Sequence, residues 1–151
     1  MPEQKLVAGS LALAFSLALA GCNSGSDSPA PDDGTGGGGQ TDTLLEPGEN
    51  EALLYYKRPD ENYSGWGLHL WNNPADGCDG LAEGVPTEWS SPRLPDGVSD
   101  TYGAWYLIPM REAGECMNFI MHKGDEKDLG GLDHRWHFGS LGDRIFTLSG
   151  S

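Results

Sequence analysis

From Glu51 to Gly150 no apolar stretch keeps a helical period; short apolar or alternating runs are cut by clusters of Gly, Pro, Asn and Asp. A chain interrupted this often has no room for a long amphipathic helix, so its apolar side chains must be buried by pairing short extended segments. The runs 52–57, 65–71, 104–110, 117–122, 135–138 and 144–148 are predicted strands, and 72–76, 91–100 and 124–133 are predicted loops. Short strands with turn signals between them predict an all-β fold, two sheets packed as a sandwich. The interior of such a fold is filled by the packing of its layers, which leaves function to the loops or to an outer sheet face.

The first residues have a different character. A single lysine, Lys5, precedes the apolar stretch 6–20, which ends in Leu19-Ala20-Gly21-Cys22. This pattern predicts a signal peptide over 1–21, and the apolar run is shorter than the ~20 residues that span a bilayer. Leu-Ala-Gly-Cys resembles the lipobox of bacterial lipoproteins, which implies cleavage before Cys22 and lipidation of that cysteine. Glu3 offsets Lys5, a departure from the usual basic start. Asn23 stands where an Asp would resemble an inner-membrane retention signal. The expectation is an exported protein, lipid-anchored to the bacterial outer membrane or cell surface. Residues 22–50 then comprise the lipidated cysteine and a linker rich in Gly, Ser and Asp, and about 25 residues of such coil reach ~25–30 Å on average. The folded module is expected over 51–149.

Charge narrows the partners. Nine Lys and Arg against 23 Asp and Glu give a formal charge of -14, with no basic cluster. Binding of phosphate backbones or anionic lipid surfaces needs the opposite balance, so nucleic acid is not an expected partner. With Cys22 assigned to lipid, Cys78 and Cys116 remain as an even pair in an oxidising compartment, and a disulfide is expected. A metal site drawing on His122, His134 and His137 is the alternative. His134 and His137 lie three apart in a segment read as loop or strand, where that spacing points them to opposite faces, and no Cys-x-x-Cys accompanies them. No metal or cofactor is expected.

The stretch Gly65-Trp66-Gly67-Leu68-His69-Leu70-Trp71 carries the functional signal. Alternation along a strand puts Trp66, Leu68 and Leu70 on the core side and Gly67, His69 and Trp71 outside together. An indole beside an imidazole on a solvent face, with Gly67 leaving the approach open, suggests a platform on which a sugar ring stacks. Packing of Trp71 beneath a loop is the alternative. Among the other aromatics, Trp105 or Tyr106 is expected in the core and Tyr56 is read as packed. Trp136 is either core or a flank of the platform, and Trp89 is a candidate for an extra contact.

Several dispersed motifs in order, namely Leu54-Tyr55-Tyr56-Lys57-Arg58-Pro59-Asp60, the stretch 65–71, Tyr102-Gly103-Ala104-Trp105-Tyr106 and the segment 119–128, resemble the bacterial pullulanase-associated domain, carbohydrate-binding module family 41. The resemblance implies an immunoglobulin-like antiparallel β-sandwich that binds α-glucans such as pullulan, amylopectin, glycogen and maltooligosaccharides, usually in front of a debranching barrel. Its aromatic pair falls on His69 and Trp71, where some members carry a second Trp in place of His69. Its polar contacts fall on Lys127 and, with one inserted residue, Asp133, with Asp128 as the rival. Without the resemblance, the run 125–128 reads as a solvated charge cluster.

Glycoside hydrolysis requires two carboxylates facing across a cleft, whereas the acidic residues here lie in turn-like stretches. Nothing resembles a nucleophile triad or a phosphate-binding glycine loop, and a debranching barrel takes about 250 residues. The expectation is therefore a non-catalytic binding module. It would be either a free-standing surface lipoprotein or the N-terminal part of a pullulanase whose catalytic domain is its partner. A surface lipoprotein that adheres to protein is a further alternative.

Overall fold

The computed structural model describes residues 42–151. The signal segment, Cys22 and the tether up to residue 41 lie outside the described residues. Eight strands are formed among the described residues: β1 (Glu51–Lys57), β2 (Gly67–Trp71), β3 (Gly97–Ser99), β4 (Gly103–Pro109), β5 (Cys116–Lys123), β6 (Glu126–Lys127), β7 (His134–His137) and β8 (Arg144–Leu148). They make two sheets. One runs in the order β3-β4-β1-β8; in the other β2 pairs with β5, whose far edge is shared by β6 at one end and β7 at the other.

The apolar side chains explain why the sheets stack. Ala52, Leu54 and Tyr56 of β1 and Ala104, Tyr106 and Ile108 of β4 face Trp66, Leu68, Leu70, Met117, Phe119, Met121 and Trp136 across one buried cluster. Tyr106 is thus the core member of its pair, and Trp105 is half-buried on the other side of β4. The result is a β-sandwich, as the broken apolar pattern predicts.

Three local differences have physical causes. Pairing is antiparallel except between β1 and β8, which run parallel from Leu53↔Arg144 to Lys57↔Leu148. Parallel neighbours need a long crossover, and here all of β2 to β7 supplies it. The loops predicted at 91–100 and 124–133 contain β3 and β6, only three and two residues long, too short to leave a pattern in sequence. The run predicted as a strand to Phe138 stops at His137, where a short helix (Phe138–Leu141) begins.

Residues 42–50, read from the sequence as the end of the linker, lie against the β3-β4-β1-β8 sheet. The Asp42 carboxylate accepts hydrogen bonds from the Ser99 hydroxyl and the Thr101 N–H, and Leu45 N–H donates to the Tyr55 hydroxyl at 3.0 Å. Arg144 pairs with Glu46. This segment helps to explain why Tyr55, on the outer face of β1, is buried. A disulfide joins Cys78 to Cys116, as expected, and ties the long connection after β2 to the start of β5.

Candidate functional site

The register of β2 on β5 decides which side chains share the outer face. Gly67 pairs with His122, His69 with Ile120 and Trp71 with Asn118. Directly opposed residues point to the same side of a sheet, so these six form one surface, while Leu68 and Leu70 lie inside, fully buried. His122 is in turn opposite Lys127, and Asn118 is opposite Arg135. Lys127, contributed by a separate strand, is thereby carried onto the same face as His69 and Trp71. Asp133, immediately before β7, lies close enough to the floor for its carboxylate to act on the His69 imidazole.

His69 and Trp71 form a floor, with ring centroids 5.2 Å apart and planes inclined by only 23°. Thr87 fixes the imidazole: its hydroxyl lies 3.2 Å from His69 Nδ1 while accepting the Leu70 N–H at 2.9 Å. Burial lowers the His69 pKa first, and the neighbouring His122 lowers it further; the carboxylates of Glu88 and Asp133 act in the opposite sense without prevailing. The ring is therefore biased towards the neutral form, in which one nitrogen donates and the other accepts.

Trp89 stands beside this floor. Its ring is 5.5 Å from His69 at 72° and lies flat on His122, with centroids 3.9 Å apart and planes within 13°. The Lys127 ammonium is 5.4 Å from the Trp89 ring, within cation–π range. Trp89 reaches this place because the connection after β2 doubles back: Leu68 bridges Arg93, with Leu68 N–H donating to Arg93 O at 2.9 Å and Arg93 N–H returning to Leu68 O at 2.8 Å. That same bridge corrects the expected open approach at Gly67. A Cβ there would lie 2.9 Å from Arg93 O and from Pro92, so Gly67 is covered, and the glycine admits the overlying segment rather than a ligand.

The sequence candidates thus separate. His69, Trp71 and Lys127 share one face with Asp133 close by, and Trp89, a lesser candidate, joins them. Asp128 does not. Its carboxylate accepts from the Tyr56 hydroxyl, from Arg58 Nη1 at 3.2 Å, from the Ser149 hydroxyl at 2.5 Å and from the N–H groups of Leu129 and Gly150. Burial alone would raise the Asp128 pKa, but these donors hold it at about 2. With its oxygens so engaged, Asp128 is a structural clamp between the β6–β7 connection and β8. Trp136 also leaves the set: it is fully buried, its indole N–H donates to Gly142 O at 2.8 Å, and its face of β7 is the core face. Two groups near the floor were not assigned to it from the sequence, where His122 was weighed only as a metal ligand. His122 is the base under Trp89, and Arg135 bonds Asn118 Oδ1 at 3.3 Å while pairing with Asp76. Alternation along β5 and β7 could have placed both on the outer face.

The arrangement offers stacking surfaces rimmed by an ammonium and a carboxylate, the combination that suits a ligand with apolar faces and hydroxyl edges. Comparison with known proteins gives the family. Residues 50–151 match the family described as the bacterial pullanase-associated domain. The chain is similar to an alpha-amylase of Streptomyces lividans, 41% identical over 86 residues, covering 57% of this chain and 8% of the relative. It is also similar to a pullulanase of Klebsiella pneumoniae, 31% identical over 107 residues, covering 66% of this chain and 9% of that protein. The chain therefore spans less than a tenth of the length of either curated relative. Among solved structures, a streptococcal family 41 carbohydrate-binding module described for α-glucan recognition superposes with a TM-score of 0.56 at 12% identity, covering 72% of this chain and 47% of that one, a likeness of fold. On the strength of the match over 50–151, the chain belongs to the bacterial pullanase-associated domain family.

Proposed function

We propose that this chain is a non-catalytic module that binds α-glucans, such as pullulan, amylopectin, glycogen and maltooligosaccharides, and keeps a pullulanase-type glycoside hydrolase near its substrate. The observation that carries the reading is the angled aromatic surface: a His69–Trp71 floor inclined by 23° and a Trp89 wall at 72° to His69. A β-1,4-glucan is a flat ribbon that lies along coplanar rings, whereas an α-linked glucan bends from one glucose to the next and can rest on surfaces set at an angle. Lys127 and Asp133 supply the donor and acceptor that sugar hydroxyls need. What the pullulanase and family 41 relatives are named for supports the same ligand class.

Lipidation of Cys22, export, and anchorage at the outer membrane or cell surface are part of the proposal, and they rest on the Leu19-Ala20-Gly21-Cys22 pattern. One shallow stacking site should bind only in the micromolar to millimolar range, since an aromatic contact adds about 1 kcal/mol beyond area burial. Surface anchoring or attachment to a catalytic domain would convert that into retention.

Native affinity electrophoresis of the full chain in gels containing pullulan, glycogen or cellulose tests the binding. Retardation by the two α-glucans alone, lost in a folded Trp71→Ala variant, is the expected result. Equal mobility in every gel would sink the reading. For the anchor, expression in a bacterial host with radiolabelled palmitate should label the wild-type chain and not Cys22→Ser.

A further inference from the structure

Beyond the Trp89 wall the same face opens into a depression of about 580 Å³ lined by Trp89, Ser90, Leu94, His122 and Asp125 among others, a size within the ~300–1,000 Å³ of small-molecule clefts. It lies between the segment that doubles back over β2 and the turn joining β5 to β6. Neither the aromatic pair nor the Lys127 and Asp133 rim accounts for it.

Three features point to a ligand there. Leu94 is 59% exposed beside Trp89, an apolar surface left in water. The side chains of Ser90, Ser91 and Asp125 line the same depression and have no hydrogen-bond partner among the described residues. Most specific is His122. Its Nδ1 lies 2.8 Å from Gly124 O, and because a carbonyl only accepts, Nδ1 must carry the hydrogen. In the neutral ring the other nitrogen, Nε2, is then an acceptor; it is buried without a hydrogen-bond partner, in a residue 1% exposed that lines the depression. A buried unpaired acceptor is costly, and a hydroxyl, brought in directly or through a bridging water, would satisfy it.

We propose that this depression is a further sugar subsite that prolongs the platform, so that the module holds a glucan at least one glucose unit beyond the His69–Trp71 floor. Trp89 is shared between the two parts. Its flank and Leu94 meet the apolar face of the added ring, while Ser90, Ser91, Asp125 and the His122 acceptor meet its hydroxyls. The inference rests on the glucan-binding reading above. It deepens that reading by fixing the ligand as an extended stretch of glucan instead of a short end.

Calorimetric titration of the full chain with maltotriose, maltotetraose, maltopentaose and maltohexaose separates the two. The expected wild-type affinity rises about tenfold from maltotriose to the longest ligand, the increment that a few added contacts give. In the exposed double variant Leu94→Ser/Asp125→Ala the ratio of long-chain to maltotriose affinity should fall to near one, and Trp89→Ala should lower it too. A wild-type ratio already near one, or a variant that keeps the wild-type ratio, overturns the subsite and leaves the glucan-binding reading standing. Failure of the wild type to bind any of the four overturns both. Because only ratios within one protein are compared, a partly unfolded variant does not mimic the expected result.

Discussion

The indole of Trp89 lies on the imidazole of His122 at 3.9 Å, covering a residue that the register of β2, β5 and β6 puts on the outer face. His122 is buried there without belonging to the sandwich core. The irregular segment after β2 is thereby seated on the sheet by an aromatic pair as well as by the Leu68–Arg93 bridge.

Replacing Trp89 with Ala should therefore do two things. Affinity for maltooligosaccharides should fall about fivefold to tenfold, the worth of one lost aromatic contact. His122 should become accessible, visible as new reactivity of its ring towards diethyl pyrocarbonate. Unchanged affinity would remove Trp89 from the site.

His69→Trp tests the floor. A larger ring in place of the imidazole adds stacking area next to Trp71, and the Thr87 hydroxyl keeps its bond from Leu70 N–H. Glucan affinity is expected to rise about threefold. Weaker binding, with the fold intact, would show that the His69 hydrogen bond matters more than its area.

Acid sensitivity should have two separate origins. Held at about 2 against an ordinary 3.8, the Asp128 carboxylate stabilises the folded state above pH 3.8, and this is lost as pH falls towards 2. Asp128→Asn should cost about 2 kcal/mol at neutral pH and remove that acid limb, as read from urea unfolding between pH 2 and 7. His69 acts at higher pH. Its folded pKa lies below the ordinary 6.5, so the unfolded chain binds the proton first, and stability falls as pH drops below 6.5 until the folded ring also titrates. His69→Gln should flatten that upper part and leave the lower one.

Reduction of the Cys78–Cys116 disulfide should lower stability by roughly 3–4 kcal/mol, the chain-entropy value for a loop of about 39 residues. Guanidinium unfolding with and without reductant measures it. A shift under about 1 kcal/mol would mean that the connection after β2 is held by its other contacts.

What was legible in the sequence followed the local period. The alternation of 66–71 sorted Trp66, Leu68 and Leu70 from His69 and Trp71, because on a strand the face depends on parity alone. Trp136 between Arg135 and His137 obeys the same rule, yet parity cannot say which face is the core until the partner strand is known. Trp89 had no period to read, since its place depends on a bridge between Leu68 and Arg93, 25 positions apart. Asp128 was misread for a related reason: its partners Tyr56, Arg58 and Ser149 lie in or just beyond the ends of distant strands, and nothing near it in the chain distinguishes a clamp from a solvated carboxylate.

The parallel pairing of β1 with β8 has a mechanical meaning. Tension applied between the start of β1 and the end of β8 pulls two parallel neighbours in opposite directions along their length. The pairs from Leu53↔Arg144 to Lys57↔Leu148 are then loaded in shear, all at once, instead of being peeled one after another. The Asp128 clamp on Ser149 and Gly150 adds a second catch just beyond the strand. A load carried through the chain from one side of the module to the other acts along this direction, the one in which its strands yield last.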